Sequence, residues 1–251
     1  MTTIAEQIVR IQTAIANAYT ACQDMGATMP AILNSDNLEQ CIASITGGGS
    51  SATVLHLYDR VDGKATVAGF WTDGNGQRYA VCVVDAAYRS GSGMGWGQNI
   101  DTPLPNYSSS SSALAAGESG TWNTDTILDN YTATDYPAFN FARSACTVTV
   151  DNQTFESCLP NLKELDILYQ DKATLDTYDS TLSNYSTRSL SMFKCGGTNG
   201  LWSSTEVSSS QCYVYNASGS VGFPSKDFWN KNLYGVCPVF EIPVDENGEV
   251  Q

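Results

Sequence analysis

The chain has 251 residues, of which 42% are hydrophobic and 15% are charged, so it can form one sizeable core with an appended segment. Its formal net charge of −14 argues against nucleic acid and anionic membrane surfaces as partners. Excess acid mainly keeps a protein in solution, although it would also suit a cationic ligand.

A heptad pattern predicts the first helix. Apolar residues recur from Ile4 at alternating spacings of four and three, which is typical of a coiled-coil seam. Isoleucine at both seam positions favours three or four strands over two. We therefore expect a short trimeric coiled coil; the alternative is an amphipathic helix that lies on its own domain. The predicted oligomerisation residues are Ile4, Ile8, Ile11 and Ile15.

A second helix is predicted after Met29-Pro30, with Asp36 as its cap and Glu39 completing a capping box. A run of glycine and serine then predicts a domain boundary. We accordingly divide the chain into a helical oligomerisation segment (residues 1–46), a Gly/Ser linker (47–52) and a ligand-binding domain (53–251). No signal peptide and no apolar run of the roughly 18 residues that a membrane helix needs are found, so we expect cytoplasmic synthesis without membrane insertion.

The larger domain is predicted to mix short strands with short helices. Alternating apolar residues and turn signals predict the strands, and helical periodicity with caps predicts the helices. The serine-rich stretch 107–120 is interpreted as a mobile loop. The predicted strands are 53–58, 65–71, 77–85 and 147–150, with a turn at 73–76, brief strands after residue 198 and a last strand at 235–242; the predicted helices are 123–130, 136–144 and 163–169.

The metal-binding and catalytic residue types are sparse. Eight cysteines include no CxxC pair, and the single histidine, His56, excludes a multi-histidine metal site. The cysteines are most simply buried thiols in a reducing compartment. We expect no catalytic residues and no metal site.

Four motifs together resemble one family. Residues 159–165 (LPNLKEL) resemble the helix entry of bacterial C-type-lectin-like domains related to the formylglycine-generating enzymes. Residues 201–206 (LWSSTE) resemble their tryptophan box, residues 236–240 (VCPVF) their closing strand, and residues 122–124 (WNT) the start of their first helix. Order and spacing match over roughly residues 53–243.

Within that superfamily, the chain is most similar to the variable proteins of diversity-generating retroelements, such as phage tropism determinants. The resemblance implies an α+β, C-type-lectin-like fold whose first and last strands pair. It also implies a variable region at about residues 199–234, between the tryptophan box and the last strand. Retroelement mutagenesis acts at template adenines and converts asparagine codons into others, which gives a reason for the composition of this region. The amino-terminal heptad is similar to segments of phage tail and fibre proteins.

The chain departs from the family pattern at Cys237, which stands where the family has an arginine in the closing strand. Another interaction must then hold that strand. Formylglycine-generating enzymes use paired cysteines, but the surroundings of Cys195, Cys212 and Cys237 do not match that active-site motif.

The composition of residues 207–234 by itself predicts a binding surface. Half of these 28 residues are Ser, Tyr, Asn or Gly, six are aromatic, and only Lys226, Asp227 and Lys231 are charged. Rigid aromatic rings among small polar residues are typical of antibody-like contact surfaces. For Tyr213 and Tyr215, the pattern fits a core position and a surface position equally well. Phe228, Trp229 and Tyr234 are expected to be exposed. The predicted ligand face comprises Val207, Ser208, Ser210, Tyr213, Tyr215, Phe223, Ser225, Asp227, Phe228, Trp229, Asn230, Asn232, Leu233 and Tyr234.

The tryptophan box is predicted to be scaffold, with Trp202 as a core anchor and the hydroxyls of residues 203–205 satisfying backbone groups. Glu206 resembles an ion ligand of the lectins, but one carboxylate without a second is weak evidence for calcium. We therefore expect no cofactor, with structural calcium as the disfavoured alternative.

These features predict a receptor-binding adhesin of the phage tail-fibre type. It would be a virion-borne homotrimer whose diversified face binds a bacterial surface protein or glycan. Two alternatives stay open: a formylglycine-generating type of oxidase, which needs a reactive cysteine pair, and a lectin of fixed carbohydrate specificity.

Overall fold

The computed structural model describes residues 4–24, 33–35, 37–38, 52–115, 117–171, 173–175, 199–216, 218–226 and 233–251. The chain forms two compact units, Met1–Ala52 and Thr53–Gln251. Helices and strands are both present, which confirms the α+β class. Among the described residues, no helix is long and apolar enough to cross a membrane.

Helix α1 spans Ile4–Asp24 and confirms the predicted amino-terminal helix. Within the single chain, the side chains of Ile4, Ile8 and Ile11 are 78%, 50% and 60% exposed. Ile15 is half-buried in a small cluster of the same unit, formed with Tyr19, Cys22 and Leu38. The first half of the seam is therefore exposed. The predicted second helix and the Gly/Ser linker lie almost entirely outside the described residues.

The first sheet of the larger unit is antiparallel, with strand order β1–β2–β3–β10. The predicted hairpin between β2 and β3 is confirmed: the Asp73 carboxylate accepts hydrogen bonds of 2.9 Å from the backbone N–H groups of Asn75 and Gln77. The strands are β1 (Arg60–Val61), β2 (Ala65–Thr72), β3 (Arg78–Val84) and β10 (Val239–Val244).

Both faces of this sheet are covered. Alternate residues of β3 enter two different clusters of buried side chains, as the period of two along a strand requires. Val81 and Val83 belong to one cluster, and Ala80, Cys82 and Val84 belong to the other. The sheet therefore forms the middle layer of the unit.

Helices and a small hairpin follow β3 along the chain. The predicted helices near residues 123, 136 and 163 and the predicted strand at 147–150 are confirmed. The helices are α2 (Ser110–Leu114), α3 (Gly120–Asn130), α4 (Pro137–Ser144) and α5 (Leu162–Gln170), and the hairpin strands are β4 (Thr147–Val150) and β5 (Gln153–Glu156).

A second sheet has the strand order β8–β7–β6–β9 and includes half of the residues of the predicted variable region. The β6–β7 hairpin is antiparallel, and β9 pairs with the start of β6 in parallel. The strands are β6 (Gly200–Ser208), β7 (Gln211–Asn216), β8 (Val221–Gly222) and β9 (Tyr234–Gly235).

Three sequence-based element predictions are wrong. Residues 53–58 form only an isolated bridge, because the chain turns at Tyr58, whose φ is +70°. The serine run predicted as a loop contains α2, since the Ser109 hydroxyl caps it by accepting from the N–H of Ser112 and Ala113 is buried. The predicted last strand is split, because Pro238 lies between β9 and β10 and lacks an N–H to donate.

The ends of the larger unit meet. Val54 bridges Glu249, and the N–H of Leu55 donates to the carbonyl of Gly248 at 2.8 Å. The named first and last strands, β1 and β10, each pair with other strands instead. The pairing of first and last strands implied by the family resemblance is thus present only as this short bridge.

Two carboxyl groups are buried together at the amino terminus of α3. Glu241 on β10 accepts hydrogen bonds from the N–H groups of Gly120 and Thr121, at 3.2 and 2.7 Å. Glu164, which is fully buried, completes the capping box of α5 with Asn161, and its other carboxyl oxygen has no hydrogen-bond partner among the described residues. Burial raises the pKa of Glu164 well above its usual value, and the charge of Glu241 adds to the rise. Glu164 therefore keeps its proton to a higher pH than an exposed glutamate does.

Candidate ligand-binding face

The tryptophan box lies in β6 and is part of the core, which confirms the prediction that it is scaffold. Trp202 is fully buried, its indole N–H donates to the carbonyl of Met94 at 2.6 Å, and its ring lies 4.6 Å from that of Tyr234. The Thr205 hydroxyl accepts from the N–H of Leu162, and the Ser204 hydroxyl accepts from the Asn123 amide. These contacts join β6 to α3 and α5, so the strand is anchored to both helices.

A buried ion pair lies near the end of β6. Glu206 and Lys226 are both fully buried, and their charged atoms are 2.7 Å apart. Lys226 also lies 4.9 Å from the centre of the Trp96 ring and donates to the carbonyl of Ile100 at 3.3 Å. Thr102 donates its hydroxyl to Glu206 at 2.7 Å. The pair therefore ties the segment after β8 to β6 and to the segment before α2.

The carboxylate of Glu206 accepts hydrogen bonds from donors of the protein. Desolvation raises its pKa, whereas the hydrogen bonds from Lys226 and Thr102 act in the opposite direction. The ammonium group occupies the place at the carboxylate that a bound cation would take. Within the described part of the chain, no group of three or more His, Cys, Asp or Glu side chains is arranged to hold a metal.

Three of the predicted face residues are core residues. Tyr213 and Tyr215 are 2% and 5% exposed, and their hydroxyls donate to the carbonyl of Tyr107 and to the Asp166 carboxylate. Tyr234 was expected to be exposed, and this expectation is wrong: it is 8% exposed because its ring packs against Trp202. Bulky neighbours from distant segments cover these rings, and no local pattern reveals them. We therefore remove these three tyrosines from the ligand face.

Other predicted residues do reach the surface. Phe223 is 60% exposed. Ser210 is exposed at the β6–β7 turn. Four further predicted residues are half-buried at the rim of the second sheet, namely Val207, Ser208, Ser225 and Leu233.

The remaining predicted residues, Asp227, Phe228, Trp229, Asn230 and Asn232, lie outside the described residues. Both flanks of this segment are fixed. Lys226 on one side is held by the buried ion pair. On the other side, the carbonyl of Leu233 accepts from the N–H of Asn199 at 2.8 Å, and β9 pairs with β6.

The segment 95–100 is a neighbour of the face that the sequence did not predict. The N–H of Gly97 donates to the carbonyl of Lys226 at 3.4 Å, and the Ser225 hydroxyl donates to the Asn99 amide oxygen at 3.3 Å. Ile100 is 38% exposed. Beside this segment lies a cleft of about 480 Å³ that reaches Thr134. Ser225 and Asn99 are 126 residues apart in the sequence, so no local motif indicated this contact.

Cys237 is buried in the main core. The strand after it is held by reciprocal backbone hydrogen bonds of 2.9 and 3.1 Å between Cys158 and Val239, and by its pairing with β3. Cys212 is fully buried, and burial raises its pKa well above the usual value. Cys195 lies outside the described residues.

The chain matches no protein-family model and has no significant match among curated proteins.

Proposed function

We propose that this protein is a receptor-binding adhesin with a C-type-lectin-like domain and a sequence-diversified ligand face. The observation that carries the proposal is the way the two ends of residues 227–232 are held. Lys226 is locked in a buried ion pair, and Tyr234 is packed on Trp202. A segment between two fixed ends can change in sequence while the strands on either side of it keep their places.

The exposed residues have the chemistry of a contact surface. Phe223 offers an exposed ring beside small polar residues such as Ser210 and Ser225. The segment 227–232 adds a phenylalanine and a tryptophan to three polar residue types. Aromatic rings provide most of the binding energy at such surfaces, and small polar residues adapt their hydrogen bonds. The ligand that fits this proposal is a bacterial surface protein or glycan.

The buried cysteine near the face does not favour the oxidase alternative. Thiol chemistry uses the thiolate, and burial in apolar surroundings disfavours it at Cys212. The ion pair of Glu206 likewise leaves the calcium-dependent lectin alternative without a ligand set at that residue.

We expect alanine at both Phe223 and Trp229 to lower binding to bacterial cells at least about tenfold, because truncation of central aromatic residues removes the largest contacts. Labelled protein is first applied to a panel of bacterial strains, and the variant is compared on every strain that binds. Leu57→Ala, at a residue that is 46% exposed before β1, is the matched control. Undiminished binding by the double variant would refute the assignment of the face.

The trimer is part of the same proposal. The exposed isoleucines of α1 would be buried between three copies, and three faces acting together would bind more tightly through avidity. We expect Ile8→Asp with Ile11→Asp to give a monomer in sedimentation equilibrium, whereas the wild type sediments at three times the mass of the chain. Gln12→Asp, at an exposed polar position of the same helix, should leave the trimer intact. A monomeric wild type contradicts this part of the proposal.

A phage tail-fibre protein of this kind would be carried on the virion after cytoplasmic synthesis. The gene should then lie beside a reverse-transcriptase gene and an imperfect repeat of the codons for residues 199–234. Sequencing the locus tests the diversification directly, since a locus without either element leaves only a binding protein of fixed sequence.

A further inference from the structure

A second cleft of about 630 Å³ lies between the β2–β3 turn and the start of α3. Its lining includes Asp73, Tyr79, Glu118, Ser119 and Trp122, none of which belongs to the ligand face. The volume is within the range of small-molecule sites in proteins.

The cleft exposes an aromatic ring. Trp122 is 45% exposed, whereas Trp71, Trp96 and Trp202 are at most 6% exposed. Tyr79 is the second ring in the lining, and desolvation raises its pKa to about 12, so it stays an uncharged phenol. The ring of Tyr79 stacks on Trp71, so the exposed indole of Trp122 is the ring that can attract a cation through its quadrupole.

The charge of the lining has one sign. Asp73 and Glu118 are both carboxylates, and no lysine or arginine is among the lining residues that the structure describes. Each carboxylate is held in place: Asp73 by the N–H groups of the turn, and Glu118 by the Tyr107 hydroxyl. Held carboxylates lose little entropy when a ligand binds, and the net charge of −14 adds a long-range attraction for cations.

The cleft is held in shape by a close backbone contact. Gly117 lies against Gly74, and a Cβ atom on Gly117 would be 2.8 Å from the Gly74 Cα atom. The two segments that carry the carboxylates therefore cannot separate or approach without breaking this contact. The acidic and aromatic groups thus form a preformed site.

We propose that this cleft binds organic ammonium ions, with the charge between the carboxylates of Asp73 and Glu118 and the alkyl groups on the ring of Trp122. An anion is repelled by both carboxylates, and an uncharged ligand gains no Coulombic attraction from them. The site is separate from the ligand face, so the tests of ammonium binding and of the adhesin function are independent of each other.

The test uses the full-length protein and saturation-transfer difference NMR, which detects weak binding. Choline is compared with 3,3-dimethylbutanol, its uncharged isostere, and Nα-acetyl-lysine methylamide is added as a primary-ammonium probe. We expect transfer to at least one ammonium probe and little to the alcohol. Transfer to choline indicates a methylated small molecule as the natural source, and transfer to the lysine derivative alone indicates a side chain of a protein partner.

The variants locate the binding. Asp73→Asn and Glu118→Gln keep the shape of each side chain, and each should weaken binding about fivefold, since a charge contact at a wet surface is worth about that factor. Trp122→Ala should weaken it about five- to thirtyfold. Asp129→Asn removes the same charge from an exposed position further along α3 and should change nothing. Equal binding of choline and the alcohol, no binding of either ammonium probe, or full retention in the Asp73, Glu118 and Trp122 variants overturns the proposal.

Discussion

Replacing Lys226 by methionine should lower the free energy of unfolding by about 3–5 kcal/mol, because it leaves the fully buried carboxylate of Glu206 without its counter-charge. Methionine keeps most of the apolar stem of the lysine, so the loss of packing is small. One carboxylate oxygen of Glu206, Oε2, already has no donor among the described residues. Urea unfolding followed by circular dichroism measures the change.

Two controls separate charge from packing. The double variant Glu206→Gln with Lys226→Met buries no charge and should recover most of the lost stability. Lys163→Met breaks a partly exposed pair with Asp166, 3.9 Å apart, and should cost less than about 1 kcal/mol. If Lys226→Met is as mild as Lys163→Met, the buried pair does not anchor the segment beneath the ligand face.

The second large effect concerns the dependence of stability on pH. The folded state raises the pKa of Glu164, so it binds more protons than the unfolded state at pH values above 4.5, the ordinary pKa of this group. The stability that Glu164 contributes is therefore complete below about 4.5 and is lost as the pH rises through the raised pKa. The slope is at most about 1.4 kcal/mol per pH unit for one proton.

Glu164→Gln should remove this part of the slope, because the glutamine amide has a similar shape and does not titrate. Thermal melts of wild type and variant between pH 5 and 9 give the difference. Glu246→Gln, at an exposed glutamate, is the control and should follow the wild type. If the melting temperatures of wild type and Glu164→Gln change with pH in the same way, the folded state does not raise the pKa of Glu164.

At acidic pH, the stability depends on the protonation of three aspartates. Asp62, Asp151 and Asp245 have lowered pKa values, because Lys64, Thr53 and the backbone N–H of Glu249, respectively, stabilise their charged forms. Their contribution is present above 3.8 and is lost as the pH falls. The melts between pH 5 and 9 therefore report on Glu164 without interference from these aspartates.

Local signals in the sequence predicted several elements correctly. Turn residues 73–76 specify the β2–β3 hairpin, because the Asp73 side chain bonds the backbone two and four residues later. Asn161 and Glu164 specify the start of α5 in the same way, through a capping box. The heptad predicted α1 from spacing alone. In each case the interacting groups lie within a few residues of each other.

The candidate site was predicted only in part, because its contacts join residues that are far apart in the sequence. The composition of residues 207–234 correctly marked Phe223 and Ser210 as surface residues. It could not show that Tyr213 is covered by the segment near Tyr107, over a hundred residues away. Equally, nothing in the sequence singled out Lys226 as the buried partner of Glu206.

The sequence by itself therefore determined the α+β class, the amino-terminal helix, the hairpin turn at residues 73–76, and the unusual composition of the carboxy-terminal segment. Only the tertiary structure decided which aromatic residues of that segment are core, which charge is buried, and where the acidic cleft at Trp122 forms. The physical reason is that caps and turns depend on neighbours along the chain. Burial and charge pairing depend instead on side chains that meet only after the sheets have packed.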